Sequence, residues 1–200
     1  MALTDEHGRL IVRMARRTVD QVVRSSDPPK GEESNHPFLR EPRGAFVTLN
    51  AVDGGLRGCI GFPYPVKQLG QAVVEAAIGA STQDPRFPRV EPFELDRILV
   101  EVSALTRPET LSTTSRKDLP GLVRIGADGL IVTGYGYSGL LLPQVATEYR
   151  LKPEDFLSET CMKAGLMPDS WLSNRVSVQR FQAEVFGETS PQGEVEKKLD

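Results

Sequence analysis

Cys59 is one of only two cysteines in the 200-residue chain, and it lies in the run GGLRGCIGFP, residues 54–63. A thiol attacks carbon as its thiolate, and a nearby cation or helix N-terminus favours that form. On a strand, side chains alternate between faces, so Arg57, Cys59 and Gly61 share one face while Leu56, Gly58 and Ile60 share the other. Arg57 is thus placed to hold a thiolate or an anionic substrate group. Gly58 and Gly61 read as open space beside the sulfur, where a substrate or another backbone approaches. A helix expected about six residues further on adds its positive end. The opposing reading is packing: the glycines permit close approach and Cys59 fills a small hole. Spacing alone leaves the two level. If the thiolate reading holds, Cys59 alkylates well below pH ~8.5, the range of an ordinary thiol.

Other chemistry-bearing residues are sparse. DPRFPRV offers Asp84 and Arg86 on a loop stiffened by Pro85 and Pro88, either as a structural ion pair or as a rigid mount presenting Arg86 to an anion. His7 and His36 are the only histidines, and neither is near Cys59 in sequence, so Glu101 is the candidate proton acceptor. Neither histidine sits at ligand spacing from a cysteine, and no metal site is expected. Cys161 falls on the apolar stripe of a helix and reads as a buried packing residue. GYGYSG, residues 134–139, matches a dinucleotide fingerprint. A helix would have to start there to receive the pyrophosphate, and LLLPQ reads as a further strand instead. The glycines are assigned to a hairpin, and no cofactor is expected.

The elements that position these residues follow from periodicity. Residues 4–25 read as a helix, with Thr4 as N-cap, Asp5 and Glu6 at its positive end, and Ile11, Met14, Ala15, Thr18 and Val22 as its apolar stripe. Arg13, Arg16, Arg17 and Arg24 read as its solvated face. SSDPPKGEESNHPF is a proline-broken loop. GAFVTLNAVDGGLRGCIGF is a hairpin turning at VDGG. A helix rich in alanine follows, with Pro65 in its first turn and Val66, Leu69, Ala72, Val73, Ala76, Ala77 and Ala80 on its stripe. DRILVEVSALT is a strand with Glu101 and Ser103 on its polar face. Short strands are read at LVRIG, LIVTG and GLLLPQ, and a helix at PEDFLSETCMKAG closed by Gly165. RVSVQRFQAEVFGE is a late strand returning to the main sheet with a bulge near Arg180. The last dozen residues read as frayed.

Composition is that of a globular chain: 26% charged, 39% apolar, net charge −3. That balance gives no electrostatic case for nucleic acid or an anionic membrane. No apolar run approaches the ~18 residues of a membrane span, and no secretory h-region is visible. Two cysteines are too few for a disulfide framework. A cytoplasmic protein is expected.

The hexapeptide LRGCIG, with PRGAFVTL before it and DPRF, EVSALTRPE, GLLLPQVATEY and FLSETCMKAGL with Trp171 after it, resembles the AMMECR family, named for a human chromosomal region. The match runs from about residue 40 to 187 in the family's order. It departs at Glu159, where histidine is expected in many relatives. The resemblance implies an α+β fold of two unequal lobes: a larger one (about 1–108 and 173–200) with an antiparallel sheet flanked by helices, and an inserted smaller one (about 109–172) with a three-stranded sheet and helices. It also implies that Arg57, Gly58, Cys59, Gly61, Asp84, Arg86, Pro143 and Gln144 gather in a cleft between the lobes, and that the partners are Memo-type and radical-SAM-type proteins. The function expected is a cysteine-dependent enzyme or enzyme component. The alternative is a non-catalytic binding module in which LRGCIG is a docking or structural element.

Overall fold

The computed structural model describes residues 2–25 and 36–199. The chain divides into two units, 1–105 with 184–200, and 106–183. Most of the loop expected after the first helix lies outside the described residues.

In the first unit a five-stranded sheet has the order β2-β1-β3-β8-β9, formed by β1 (Ala45–Ala51), β2 (Gly55–Phe62), β3 (Ile98–Leu105), β8 (Ala183–Glu188) and β9 (Val195–Leu199). Helices α1 (Asp5–Ser25) and α2 (Leu69–Thr82) pack on each other and on the sheet. Ile11, Val12, Ala15 and Val19 of α1 meet Ala72, Val73, Ala76 and Ala77 of α2 in one core with Val47, Leu49, Val100 and Val102 of the strands. The alanines of α2 are what let it close down on β2. A Cβ on Gly58 would lie 2.2 Å from the carbonyl oxygen of Ala80, and one on Gly79 would lie 2.7 Å from Ile60. Helix and strand therefore approach closely at points where one of the two partners, Gly58 on the strand or Gly79 on the helix, has no side chain.

Thr4 caps α1 as its sequence suggests: its hydroxyl accepts the His7 N–H at 3.3 Å, and His7 Nδ1 accepts the Thr4 N–H in return. Arg16 is not on a solvated face. It is buried, its Nε donates to Glu188 Oε1 at 2.8 Å, and its other nitrogens reach the carbonyls of Leu95 and Ile98. A buried guanidinium is tolerated because carboxylate and carbonyls satisfy its donors. The tail is not frayed, because Val195–Leu199 pairs antiparallel with β8. Pro65 and Val66 precede α2 instead of starting it, and Val66 is exposed.

The second unit has a sheet ordered β4-β7-β5-β6, from β4 (Glu109–Thr110), β5 (Gly129–Gly134), β6 (Tyr137–Leu141) and β7 (Val176–Phe181). Two of the three strands expected here, LIVTG and the first part of GLLLPQ, are β5 and β6; the other members of this sheet are β7, expected in the larger sheet, and the two-residue β4. LVRIG is not a strand; a 3-10 turn over Arg116–Leu122 ends inside it. The GYGYSG glycines do form a hairpin, with Tyr135 and Gly136 at positive φ in its turn. Strand β6 stops at Leu141, however, and Pro143 starts the short helix α3 (Pro143–Glu148). Helix α4 (Pro153–Lys163) ends at Gly165 with φ 77° and buries Cys161 with Phe156 and Leu157.

The late strand is two strands. There is no bulge at Arg180; the chain breaks at Gln182, and β7 pairs with β5 and β4 while β8 joins the larger sheet. The return to the larger unit therefore falls at residue 184, not 173, because residues 176–181 are committed to the smaller sheet by their ladder with β5.

Candidate functional site

Register builds the site. The β1–β2 hairpin pairs Thr48 with Cys59, and the β1–β3 ladder pairs Thr48 with Glu101. Cys59, Thr48 and Glu101 thus form one row across three strands, on the face opposite the helices. Facing pairs in antiparallel sheets hold their Cβ atoms within about 5.5 Å. The Thr48 hydroxyl donates to Cys59 Sγ at 3.4 Å. Glu101 is half-buried, and Gly187 on β8 makes room beside it: a Cβ there would lie 3.5 Å from Glu101 Cβ and 3.2 Å from Lys198 Cε.

Cys59 sits on the outer strand of the sheet, and its backbone N–H and C=O point away from β1. Both are occupied. The N–H donates to Asp84 Oδ2 at 2.8 Å, and the carbonyl accepts from Arg86 Nη2 at 3.2 Å. Arg86 is itself forked onto Asp84, with Nε to Oδ1 at 2.9 Å and Nη2 to Oδ2 at 2.7 Å. Asp84 is almost fully buried, while the Arg86 side chain is half exposed. The DPRF loop thereby takes the place of a missing neighbour strand, which protects an edge that would otherwise template pairing.

Arg57 does not hold the thiol. It shares the strand face predicted for it, but its guanidinium turns to Glu94, with Nε to Oε1 at 2.7 Å and Nη2 to Oε2 at 3.0 Å, and to the carbonyls of Pro88 and Arg89. The cation acting on the sulfur is Arg86. The glycines leave no open space either. Gly58 faces α2 and is filled by the Ala80 backbone, and the Phe46 ring lies over Gly61, 2.4 Å from where a Cβ would be.

These contacts set the electrostatics. Burial pushes the Cys59 thiol above its ordinary range; Thr48 and Arg86 pull it down, and Asp84 and Glu101 add to the rise. Cys59 is half-buried, not sealed. The balance is therefore upward, against the activation below pH ~8.5 expected of an arginine-paired thiol. Burial also lifts the Glu101 carboxyl, against the pull of Lys198. Asp84 is held well below the usual carboxylate range by Arg86 and by the two backbone N–H groups it accepts.

Cys59, Glu101, Asp84 and Arg86 thus come together within the first unit. Pro143 and Gln144 belong to the second, at the start of α3, where Gln144 Oε1 is buried without a partner. Thr48 and Glu94 were not singled out from sequence. Thr48 was within reach of it, since counting back from the VDGG turn puts it opposite Cys59. Glu94 is not, because it lies in a 3-10 turn, Pro92–Arg97, that no periodicity links to Arg57. Among the described residues no group of three or more His, Cys, Asp or Glu is arranged to hold a metal, and no helix is long and apolar enough to cross a membrane.

The AMMECR1 family model matches residues 12–186. A protein of Methanothermobacter thermautotrophicus is 50% identical over 93% of this chain and 96% of its own, and one of Methanosarcina mazei is 48% identical over 96% and 97%. The crystal structure of the uncharacterized protein PH0010 from Pyrococcus horikoshii superposes with a TM-score of 0.94 at 43% identity, covering 99% of both chains. By sequence and by fold, the chain belongs to the AMMECR1 family.

Proposed function

We propose that the protein is an enzyme, or an enzyme component, that uses Cys59 for covalent chemistry on a small electrophilic substrate, by acyl or alkyl transfer to sulfur. The observation that carries this is the row Cys59–Thr48–Glu101, with the Thr48 hydroxyl on the sulfur. Burial keeps the thiol protonated at rest, so attack requires a base. Glu101, lifted above the usual carboxylate range, is a stronger base than an exposed glutamate. As the carbon–sulfur bond forms, the Thr48 hydroxyl turns from donating to the sulfur to accepting the thiol proton while passing its own proton to Glu101, and Glu101 returns a proton to the departing group. Arg86, half exposed and beside the sulfur, holds an anionic part of the substrate, and Asp84 fixes Arg86. Arg57 acts through Glu94 to position the loop.

Membership of the family supports Memo-type and radical-SAM-type proteins as partners. Both cysteines are free thiols, which fits a reducing compartment such as the cytoplasm.

One observation favours the alternative of a non-catalytic binding module: both backbone groups of Cys59 are clamped by Asp84 and Arg86, as in a purely structural strand. Substitution separates the two. Cys59→Ala and Glu101→Gln each abolish in vivo function of an enzyme while leaving the fold intact. A binding module keeps its function in both variants.

A further inference from the structure

We infer that the second unit carries an anion site of its own, a hollow of about 380 Å³ between the Thr106–Glu109 segment, the Arg124–Asp128 loop and the end of β7, built to take a phosphate group. Three arginines line it, and their commitments differ. Arg124 is forked onto the fully buried Asp128, with Nη2 to Oδ1 at 2.7 Å and Nε to Oδ2 at 3.1 Å, and Asp128 also accepts its backbone N–H. That pair is structural and supplies the rigid wall. Arg180 is held only loosely, at 3.4 Å from both Glu109 Oε2 and the carbonyl of Leu122. Arg107 is exposed and lines the same hollow.

The lining is mainly polar, and Phe181 is its apolar member. Phe181 is fully buried and its ring lies over Gly129, where a Cβ would come within 2.3 Å of it. The rim adds Thr106, whose hydroxyl accepts the Gln182 N–H at 2.9 Å and keeps its own proton to donate. Three guanidiniums face two carboxylates, and one of those carboxylates is already used by Arg124. Arg107 and Arg180 therefore present fork-shaped donors to a shared space, the geometry that matches a tetrahedral oxyanion bidentately. Glu109 stands directly opposite Arg180 in the β4–β7 register and acts as a competing internal anion that a ligand displaces. The volume exceeds what a bare phosphate fills and lies within the range of small-metabolite pockets.

The test titrates the full chain at low salt with inorganic phosphate, ribose 5-phosphate and ribose, by calorimetry and by backbone NMR shifts. Saturable phosphate binding is expected, weakened about tenfold or more by Arg107→Gln and by Arg180→Gln, the loss of one charge-assisted contact. Glu109→Gln strengthens binding by freeing Arg180, an effect a merely structural role does not produce. Tighter binding of ribose 5-phosphate than of phosphate identifies an esterified ligand, equal binding identifies the free anion, and ribose alone does not bind. Absence of saturable binding, or binding that all three variants leave unchanged, overturns the assignment.

Discussion

The Asp84 carboxylate accepts the backbone N–H of Cys59 at 2.8 Å while its guanidinium partner Arg86 takes the Cys59 carbonyl at 3.2 Å. One loop side-chain pair thus satisfies both edge-facing backbone groups of Cys59. The position of the sulfur depends on a carboxylate twenty-five residues away.

Asp84 makes stability depend on acid. Its pKa is lowered in the folded protein, so its contribution is complete above the ordinary aspartate range and is lost as pH falls below about 4. Asp84→Asn is expected to cost about 2 kcal/mol at pH 7, discounted from a fully buried pair because Arg86 is half exposed. It also flattens the acid limb of the stability profile. Urea unfolding from pH 3 to 7 measures both.

Gly58 and Gly55 separate packing from flexibility. A Cβ at Gly58 meets the Ala80 carbonyl at 2.2 Å, whereas one at Gly55 meets nothing within 4 Å. Gly58→Ala is expected to destabilise by about 3 kcal/mol, and Gly55→Ala by less than about 0.5 kcal/mol. Thermal unfolding of the two variants gives the comparison.

Arg57 and Arg86 exchange the roles their positions suggest. Arg57→Ala leaves Glu94 unpaired and costs about 2 kcal/mol, yet leaves the thiol titration of Cys59 unchanged. Arg86→Met moves that titration upward, because Arg86 is the cation that favours the thiolate. Thiolate absorbance followed through a pH titration reports both.

Glu101 produces the opposite trend to Asp84. Its carboxyl binds its proton more tightly when folded, so its stabilising share is present at acid pH and is lost as pH rises from the ordinary glutamate range through the raised value. Glu101→Gln is therefore expected to be more stable than the wild type at pH 8, with the difference closing toward pH 4. Denaturant midpoints at the two pH values check it.

Local pattern made much of this visible. The hairpin, the shared face of Arg57, Cys59 and Gly61, the alanine stripe of α2 and the Gly165 stop on α4 all follow from periods of two and 3.6 residues and from turn chemistry. What pattern cannot carry is a partner supplied by a distant loop or 3-10 turn. Glu94 turns Arg57 from the sulfur and Asp84 grips Cys59, and neither lies at a spacing any period predicts. Arg16 looks solvated in sequence because its partner Glu188 is 172 residues distant. β7 and β8 read as one strand whose alternation slips near Arg180, and that slip marks the break at Gln182 between strands that pair in different sheets.

The most direct measurement of the central claim is the rate of iodoacetamide alkylation of Cys59 against pH, in the wild type and in Glu101→Gln, with peptide mapping to distinguish Cys161. Cys59 is expected to react faster than the fully buried Cys161, with an apparent pKa above that of a free thiol, and to titrate lower once the Glu101 charge is removed. A Cys59 that stays inert in the folded protein, or a profile that Glu101→Gln does not move, contradicts a thiol worked by that carboxylate.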